Sequence, residues 1–153
     1  MSLDVQNDVS AELDSQALCT AVEVRVCYGE VDRMGVAYYG NYLRWFELGR
    51  GQYLRARGRP YREIEAEGLA MPVIEAYVRY RQPAAYDDVI EVRTIPQSVD
   101  RVRVRFGYQV VRSPDVLLAE GYTVHACTGT SGRPRRFPDD LLQLLRRPPI
   151  TAA

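Results

Sequence analysis

The sequence predicts an α+β fold in which one long central helix is wrapped by a curled antiparallel sheet of about five strands. One alternating strand precedes an aromatic-rich helical segment, and four strands follow that segment in succession. Strands that follow one another without intervening helices pair antiparallel. A helix that is apolar on several sides is normally enclosed by other structure. Together these observations favour one helix packed on one sheet.

The strand before the helix is predicted by strict alternation of apolar and polar residues. Val22, Val24 and Val26 fall on one face of this strand, and the residues between them are charged. The strand is followed by a turn over residues 32–35, which contains an acid and a glycine. We therefore expect a half-buried strand that leads directly into the start of the helix.

The central helix is predicted to begin at Asn41, acting as its N-cap, and to end at the Gly and Pro residues of 58–60. Its first two turns are apolar on more than one side. Gly49 and Gly51 lower its helix propensity, but their missing side chains would let a sheet approach closely. This pattern places the helix at the centre of the fold.

The remainder of the chain changes to a two-residue period. Strands are predicted over residues 74–80, 89–95, 102–110 and 117–128, and a short helix over 138–145. Residues 1–20 are acidic and lack an apolar period, so we expect a flexible N-terminal extension. The expected organisation is this extension, one domain over residues 21–147 and a tail over residues 148–153.

Composition restricts the classes of partner and the compartment. The 153 residues are 46% apolar and 26% charged, with a formal net charge of zero, which disfavours nucleic acid and anionic membranes as partners. Cys19, Cys27 and Cys127 are too few and too scattered for a disulfide framework or a zinc site. With no leader or membrane-inserting segment recognised, a cytoplasmic location is expected.

One carboxylate, Asp32, lies in the turn between the first strand and the helix. A helix start presents unpaired backbone N–H groups and the positive end of the helix dipole. An acid in this position is most often a turn residue, yet the same arrangement suits an electrophilic carbonyl. The carboxylate would act on its carbon while the N–H groups bind its oxygen.

Five stretches of the chain together resemble a known family. They are Asp32-x-Met-Gly35, Tyr39-Gly-Asn-Tyr-Leu-Arg-Trp-Phe-Glu47, and residues 58–65, 83–88 and 121–125. Over residues 22–138 the chain resembles the hotdog-fold acyl-CoA thioesterases of the 4-hydroxybenzoyl-CoA thioesterase and YbgC-like family. The resemblance implies a hydrolase that releases a carboxylic acid and free coenzyme A from an aromatic or short to medium acyl thioester.

The resemblance also implies roles for particular residues. The catalytic acid of the family falls on Asp32, as nucleophile or general base, and the oxyanion-binding N–H groups fall on Tyr39 and Gly40. Many YbgC-like members carry histidine where this chain has Tyr39. A phenol with a pKa of about 10 is a poor base at neutral pH, so members of the 4-hydroxybenzoyl type are the closer guide.

Several further residues are candidates for supporting the site. Asn41 and Glu47 are expected to support it without touching substrate, and Glu47 is expected to hydrogen-bond the loop near Asp32 or to pair with an arginine. Met34, Tyr38 and Tyr42 are candidate pocket residues. For the aromatic side chains of the helix, a place in the core is the alternative interpretation.

One arginine cluster and the single histidine lie outside the helix region. Arg133, Arg135 and Arg136 cluster in a Gly/Pro loop, where guanidinium groups could converge on the phosphates of coenzyme A; plain surface is an equal alternative. The single histidine, His125, lies in the middle of a strand and is expected to be structural, without a triad. No metal and no cofactor are expected beyond the coenzyme A of the substrate.

Assembly and the competing functions follow from the same features. Exposed sheet edges are normally covered or paired, and the resemblance implies a homodimer with its site at the interface, as the smallest active unit, and a homotetramer of two such dimers. The first alternative function is a thioesterase acting on acyl carrier protein. The second is a non-catalytic acyl-thioester binding module. A hotdog dehydratase is disfavoured because His125 lies away from the helix start.

Overall fold

A computed structural model describes residues 20–146 of the 153-residue chain. Apart from Thr20, the expected N-terminal extension over residues 1–20 lies outside the described residues. The tail over residues 148–153 lies outside them as well. The domain boundaries therefore stay predictions.

The described chain contains one large antiparallel sheet and three helices. In chain order the elements are β1 (Thr20–Arg25), α1 (Asn41–Ala56), α2 (Tyr61–Ala66), β2 (Leu69–Ala70), β3 (Val73–Tyr80), β4 (Val89–Val99), β5 (Arg103–Arg112), β6 (Val116–Ala126), β7 (Thr128–Gly129) and α3 (Asp139–Arg146). The large sheet has the order β1-β4-β5-β6-β3, and β2 pairs with β7. The predicted α+β fold with a five-stranded antiparallel sheet is confirmed.

Helix α1 is the centre of the core, as its apolar pattern predicted. The side chains of Trp45, Phe46 and Tyr53 are fully buried against the sheet. Phe46 stacks on Tyr108 of β5 with ring centroids 4.2 Å apart, and Tyr53 meets Phe106 edge to face. Aromatic pairs of this kind add stability beyond their buried area, so they fix the helix to the sheet.

The two glycines of α1 differ in their surroundings. A Cβ atom at Gly49 would collide with Thr94 Oγ1 and lie 3.0 Å from Val92 Cγ1, so the sheet approaches the helix there. A Cβ atom at Gly51 would meet nothing within 4 Å. The predicted close approach is confirmed for Gly49 and wrong for Gly51, which faces open space.

The start of α1 also differs from the prediction. The helix begins at Asn41 and its N-cap is Gly40, which makes no side-chain cap. The side-chain amide of Asn41 instead donates a hydrogen bond to the carbonyl oxygen of Glu30, at 2.7 Å. The prediction that Asn41 caps the helix is therefore wrong, because this amide ties the preceding loop to the helix.

Strand β3 forms one edge of the sheet and is largely exposed. Among the described residues it pairs with β6 alone, and Val73, Ile74, Tyr77 and Tyr80 are all exposed on it. An exposed apolar edge strand is a surface that proteins normally cover. Within residues 20–146, no helix combines the length and the apolar character needed to cross a bilayer.

Candidate active site

Asp32 lies at the corner of a tight hairpin between β1 and α1. Val31 and Ala37 form an antiparallel bridge, and the Asp32 N–H donates to the Val36 carbonyl at 2.9 Å. The Gly35 N–H closes the turn onto the Asp32 carbonyl at 3.0 Å. Gly35 has φ of +77°, a conformation that glycine adopts without strain. The hydrogen bonds of this hairpin and the turn at Gly35 therefore fix the position of the Asp32 backbone.

The two carboxylate oxygens of Asp32 have different surroundings. Oδ1 accepts a hydrogen bond from the Met34 N–H at 2.8 Å, which fixes the side-chain orientation. Oδ2 has no hydrogen-bond partner among residues 20–146. The side chain is partly buried, so it is neither enclosed in the core nor fully exposed to solvent. One oxygen orients the group and the other is available to react.

Two backbone N–H groups at the start of α1 have no acceptor in the part of the chain that the structure describes. They belong to Tyr39 and Gly40. Their neighbours are satisfied, since the Tyr38 N–H donates to the Glu30 carbonyl at 2.8 Å and the Asn41 N–H to the Tyr38 carbonyl at 3.0 Å. Unpaired donors at the positive end of a helix dipole form a site for an anionic oxygen.

Glu30 is the buried carboxylate of this region, and the sequence reasoning missed it. Its side chain is 11% exposed. Oε2 accepts from the Cys27 N–H at 2.7 Å, and Oε1 accepts from Trp45 Nε1 at 3.2 Å and from Arg44 Nη1 at 3.3 Å. The available signal in the sequence was an acid two residues before Asp32.

Glu47 does not make the contacts expected of it. It is exposed on α1, two turns from the helix start, and among residues 20–146 its carboxylate has no hydrogen bond or ion pair. The carboxylate that connects the loop near Asp32 to α1 belongs to Glu30. This residue ends the 3₁₀ turn over Tyr28–Glu30, and its side chain accepts hydrogen bonds from Arg44 and Trp45 of α1.

The candidate pocket residues lie in different environments. Met34 is 80% exposed and Tyr38 is half-exposed, whereas Tyr42 is 2% exposed and packs in the core against Trp45. Burial raises the pKa of Tyr42, so its hydroxyl stays protonated. In the single chain, Met34 lies at the surface in the turn that contains Asp32, and Tyr38 lies at the surface against the Tyr39 ring. Tyr42 is buried in the first turn of α1.

A cleft of about 490 Å³ opens elsewhere, between the middle of α1 and the residues before β3. Its walls include Glu47, Arg50, Gly51 and Leu54 from α1, and Met71, Val73, Phe106 and His125 opposite them. Asp32 does not line it. The Tyr80 end of β3 contacts the helix start, where the Tyr80 hydroxyl donates to the Tyr39 carbonyl at 2.8 Å. The cleft lies toward the other end of β3, at Val73. Glu47 is the first residue of α1 in its wall, about 9 Å along the helix axis from Asn41 at 1.5 Å per residue.

His125 lines this cleft and belongs to a chain of hydrogen bonds that leads into the core. Its Nδ1 lies 2.9 Å from the Met71 carbonyl and its Nε2 2.8 Å from Thr123 Oγ1, which is 2.6 Å from the Tyr108 hydroxyl. A carbonyl can only accept, so Nδ1 carries the proton and Nε2 accepts from Thr123. Burial lowers the pKa of His125 to about 4. The ring is therefore neutral, and it links β6 to the residues before β3; its expected structural role stays a prediction.

The predicted arginine cluster is exposed and distant from Asp32 within one chain. Arg133, Arg135 and Arg136 are exposed in the loop after β7, and the Arg135 N–H donates to the Cys127 carbonyl at 3.0 Å. Cys127 follows the end of β6 that pairs with the start of β3. The cluster therefore lies at the same end of β3 as the cleft. No group of three or more metal-ligating side chains occurs within residues 20–146.

Comparison with known proteins covers most of the chain. The sequence matches the thioesterase-like superfamily over residues 26–145. It is 29% identical over 120 residues to a protein of Escherichia coli O6:H1 named acyl-CoA thioester hydrolase YbgC, with 78% of this chain and 90% of that protein covered.

Two solved structures are similar over comparable lengths. A hypothetical protein of Thermus thermophilus has a TM-score of 0.79 at 36% identity, with 82% of this chain and 96% of that chain covered. A DHNA-CoA thioesterase of Staphylococcus aureus has a TM-score of 0.79 at 28% identity, with 82% and 87% covered. These matches confirm the hotdog fold that the resemblance implied.

Proposed function

Because the chain belongs to the thioesterase-like superfamily, we propose that it is an acyl-CoA thioesterase, which hydrolyses an acyl thioester to a carboxylic acid and free coenzyme A. One observation carries this proposal. The free Oδ2 of Asp32 and the unpaired N–H groups of Tyr39 and Gly40 are joined by one short hairpin. The names of the YbgC relative and of the Staphylococcus aureus structure support the same reaction class.

The chemistry uses these three groups in one of two ways. In the first, Asp32 Oδ2 attacks the thioester carbonyl carbon, and water then hydrolyses the resulting mixed anhydride. In the second, Asp32 removes a proton from the water that attacks. In both, the carbonyl oxygen becomes an oxyanion that accepts from the Tyr39 and Gly40 N–H groups, each worth on the order of 3 kcal/mol.

The leaving group needs little assistance. The C–S bond breaks and coenzyme A departs as a thiolate, whose conjugate acid is comparable to cysteine with a pKa of about 8.5. A dedicated general acid is therefore dispensable. This requirement fits a chain whose single histidine, His125, is buried with its ring neutral.

We propose that the smallest active unit is a homodimer formed by β3, and that two dimers join into a tetramer. Strand β3 is an exposed edge with apolar side chains. A two-fold axis pairs identical strands antiparallel. The Val73 end of one β3 would then lie against the Tyr80 end of the other, and the two sheets would become continuous.

This pairing would complete the site across the dimer. The cleft lined by Val73 and Met71 of one protomer would lie beside Asp32 of its partner, and would hold the acyl group. Its volume of about 490 Å³ is in the range of pockets for small ligands, so an aromatic or a short to medium acyl group fits. Exposed Met34 and Tyr38 would border the same site.

The same pairing would bring the arginine loop toward the reaction centre of the partner. Arg133, Arg135 and Arg136 are exposed at the Val73 end of β3, and their guanidinium groups suit the phosphates of coenzyme A. Plain surface is the alternative. We also propose a cytoplasmic location, because Cys27 is an exposed free thiol, which a reducing compartment maintains.

The proposal is tested by release of free thiol from a panel of acyl-CoA and acyl-carrier-protein thioesters. Wild type should cleave acyl-CoA, and Asp32→Asn should not, although both variants fold. Preference for the carrier-protein thioesters would instead support the biosynthetic alternative. Binding of acyl-CoA without turnover would support the non-catalytic module and would overturn the proposal.

A further inference from the structure

We propose that Glu30 is a positioning residue that holds the oxyanion-binding N–H groups of Tyr39 and Gly40 in place relative to Asp32. This inference rests on the proposed function of those groups. The contacts of Glu30 within the loop are not required by the reaction itself. One residue, Glu30, uses both its backbone carbonyl and its carboxylate to connect three segments around the reactive turn.

The backbone carbonyl of Glu30 binds the chain on both sides of the two free N–H groups. It accepts from the Tyr38 N–H at 2.8 Å and from Asn41 Nδ2 at 2.7 Å. Tyr39 and Gly40 are the two residues between these donors. A peptide segment held at both ends by one oxygen atom is constrained by the position of that atom, so Glu30 contributes to setting where the free N–H groups lie. The Tyr80 hydroxyl adds a further contact, on the Tyr39 carbonyl.

The carboxylate of Glu30 fixes that residue in turn. It accepts from the N–H of Cys27, just after β1, and from the indole Nε1 of Trp45, in the first turns of α1. Trp45 is fully buried, so its indole is held by the core. Hydrogen bonds to a carboxylate are stronger than those between neutral groups. Arg44 adds an exposed ion pair at 3.3 Å, which contributes little.

Glu30 and Asp32 belong to the same hairpin, which links the two halves of the site. The Glu30–Tyr38 hydrogen bond and the Asp32–Val36 hydrogen bond are consecutive rungs of that hairpin. A shift of Glu30 therefore changes the distance from Asp32 to the N–H groups of Tyr39 and Gly40. A displacement of about 1 Å at a reaction centre costs on the order of a hundredfold in rate.

The variant Glu30→Gln tests this role with minimal change in shape. The three groups bound to the carboxylate, from Cys27, Arg44 and Trp45, are all hydrogen-bond donors. A glutamine offers one oxygen and one NH₂ group, so a buried donor would face a donor. We expect kcat on acyl-CoA to fall by about ten- to a hundredfold. KM should stay unchanged.

A second variant and a matched control separate positioning from loss of fold. Asn41→Ala removes the other tether to the Glu30 carbonyl while keeping good helix propensity, and should lower kcat in the same way, without adding to the effect of Glu30→Gln. Glu120→Gln is the matched control. It changes another buried carboxylate, that of Glu120 on β6, which accepts from Arg81 at 2.6 Å, and it should leave kcat per folded site unchanged.

Titration with a non-hydrolysable thioether analogue of acyl-CoA counts the intact sites in each variant. The inference is supported if kcat per site falls in Glu30→Gln and Asn41→Ala while the number of sites and KM hold. It is overturned if kcat per site stays at the wild-type value, or if activity falls only in proportion to the sites lost. If Asp32→Asn retains full activity, the proposed function fails first; if Asp32→Asn alone is inactive, only the role of Glu30 fails.

Discussion

Mixed dimers provide a strong test of the composite site, because each of two inactive variants should restore what the other lacks. The first variant is Asp32→Asn, which removes the reactive carboxylate. The second is Gly51→Phe, which fills the cleft. A Cβ atom at Gly51 meets nothing within 4 Å, so the added ring extends into the cleft without colliding with the core, and the change from glycine favours the helix.

The expected activity follows from counting sites. In a heterodimer, the protomer with an intact Asp32 faces the open cleft of its partner, so one site works, while the other site lacks both parts. Random association of equal amounts gives heterodimers in about half of the molecules, and with one site of two working the mixture should show about one quarter of wild-type activity. A site built within a single protomer would give no restored activity at all.

The assay uses co-expression of the two variants with different affinity tags, and measures thiol release from acyl-CoA by the doubly purified heterodimer. This heterodimer should show about half of wild-type activity, because one of its two sites works. Each homodimer alone serves as the control and should be inactive. An inactive heterodimer that is folded and dimeric would refute the shared site, and would place the acyl pocket and Asp32 in the same protomer.

Three further predictions concern stability and coenzyme A binding. Gly49→Ala should lower the free energy of unfolding by about 1–3 kcal/mol, because the added Cβ collides with the sheet. Gly51→Ala should raise it by roughly 0.8 kcal/mol through helix propensity. Urea unfolding measures both, and equal changes in the free energy of unfolding of the two variants would contradict the prediction. The pKa of His125 is lowered to about 4 from 6.5, so the neutral ring stabilises the fold above pH 6.5, and up to about 3 kcal/mol of the free energy of unfolding is lost as the pH falls toward 4. His125→Asn should remove this part of the pH dependence. The same dependence of stability on pH in the variant as in wild type would contradict the prediction. Reversing the charge of Arg135 and Arg136 should raise KM for acyl-CoA but not for a truncated acyl thioester, and equal losses on both substrates would exclude these residues from coenzyme A binding.

The fold could be predicted because its signals are local and periodic. The alternation of Val22, Val24 and Val26 follows from a strand that packs on one face. The apolar residues around the start of α1 follow from a helix that packs on several faces. Gly49 and Gly51 show where this reasoning ends. Both are glycines inside the same predicted helix, so the sequence does not distinguish them. One lies against the sheet and the other faces open space, and this difference depends on how α1 is rotated about its axis on the sheet.

The candidate site could be proposed in part for the same reason. Asp32 adjoins a strand end and a helix start with free N–H groups, and the resemblance to the thioesterase family assigned those N–H groups to Tyr39 and Gly40. Glu30 could not be proposed, because its role depends on a hydrogen bond to the indole of Trp45, fifteen residues away. Sequence reasoning gave that supporting role to Glu47, which is on the helix but faces the cleft.

The most direct measurement of the reaction is the single-turnover rate of thioester cleavage by Asp32→Asn, with enzyme in excess over acyl-CoA. Under these conditions substrate binding and product release do not limit the rate, so the chemical step is observed alone. We predict that this step slows by about a thousandfold or more, while the variant keeps its fold and still binds the thioether analogue. A chemical step as fast as that of wild type would contradict a reaction driven by the carboxylate of Asp32.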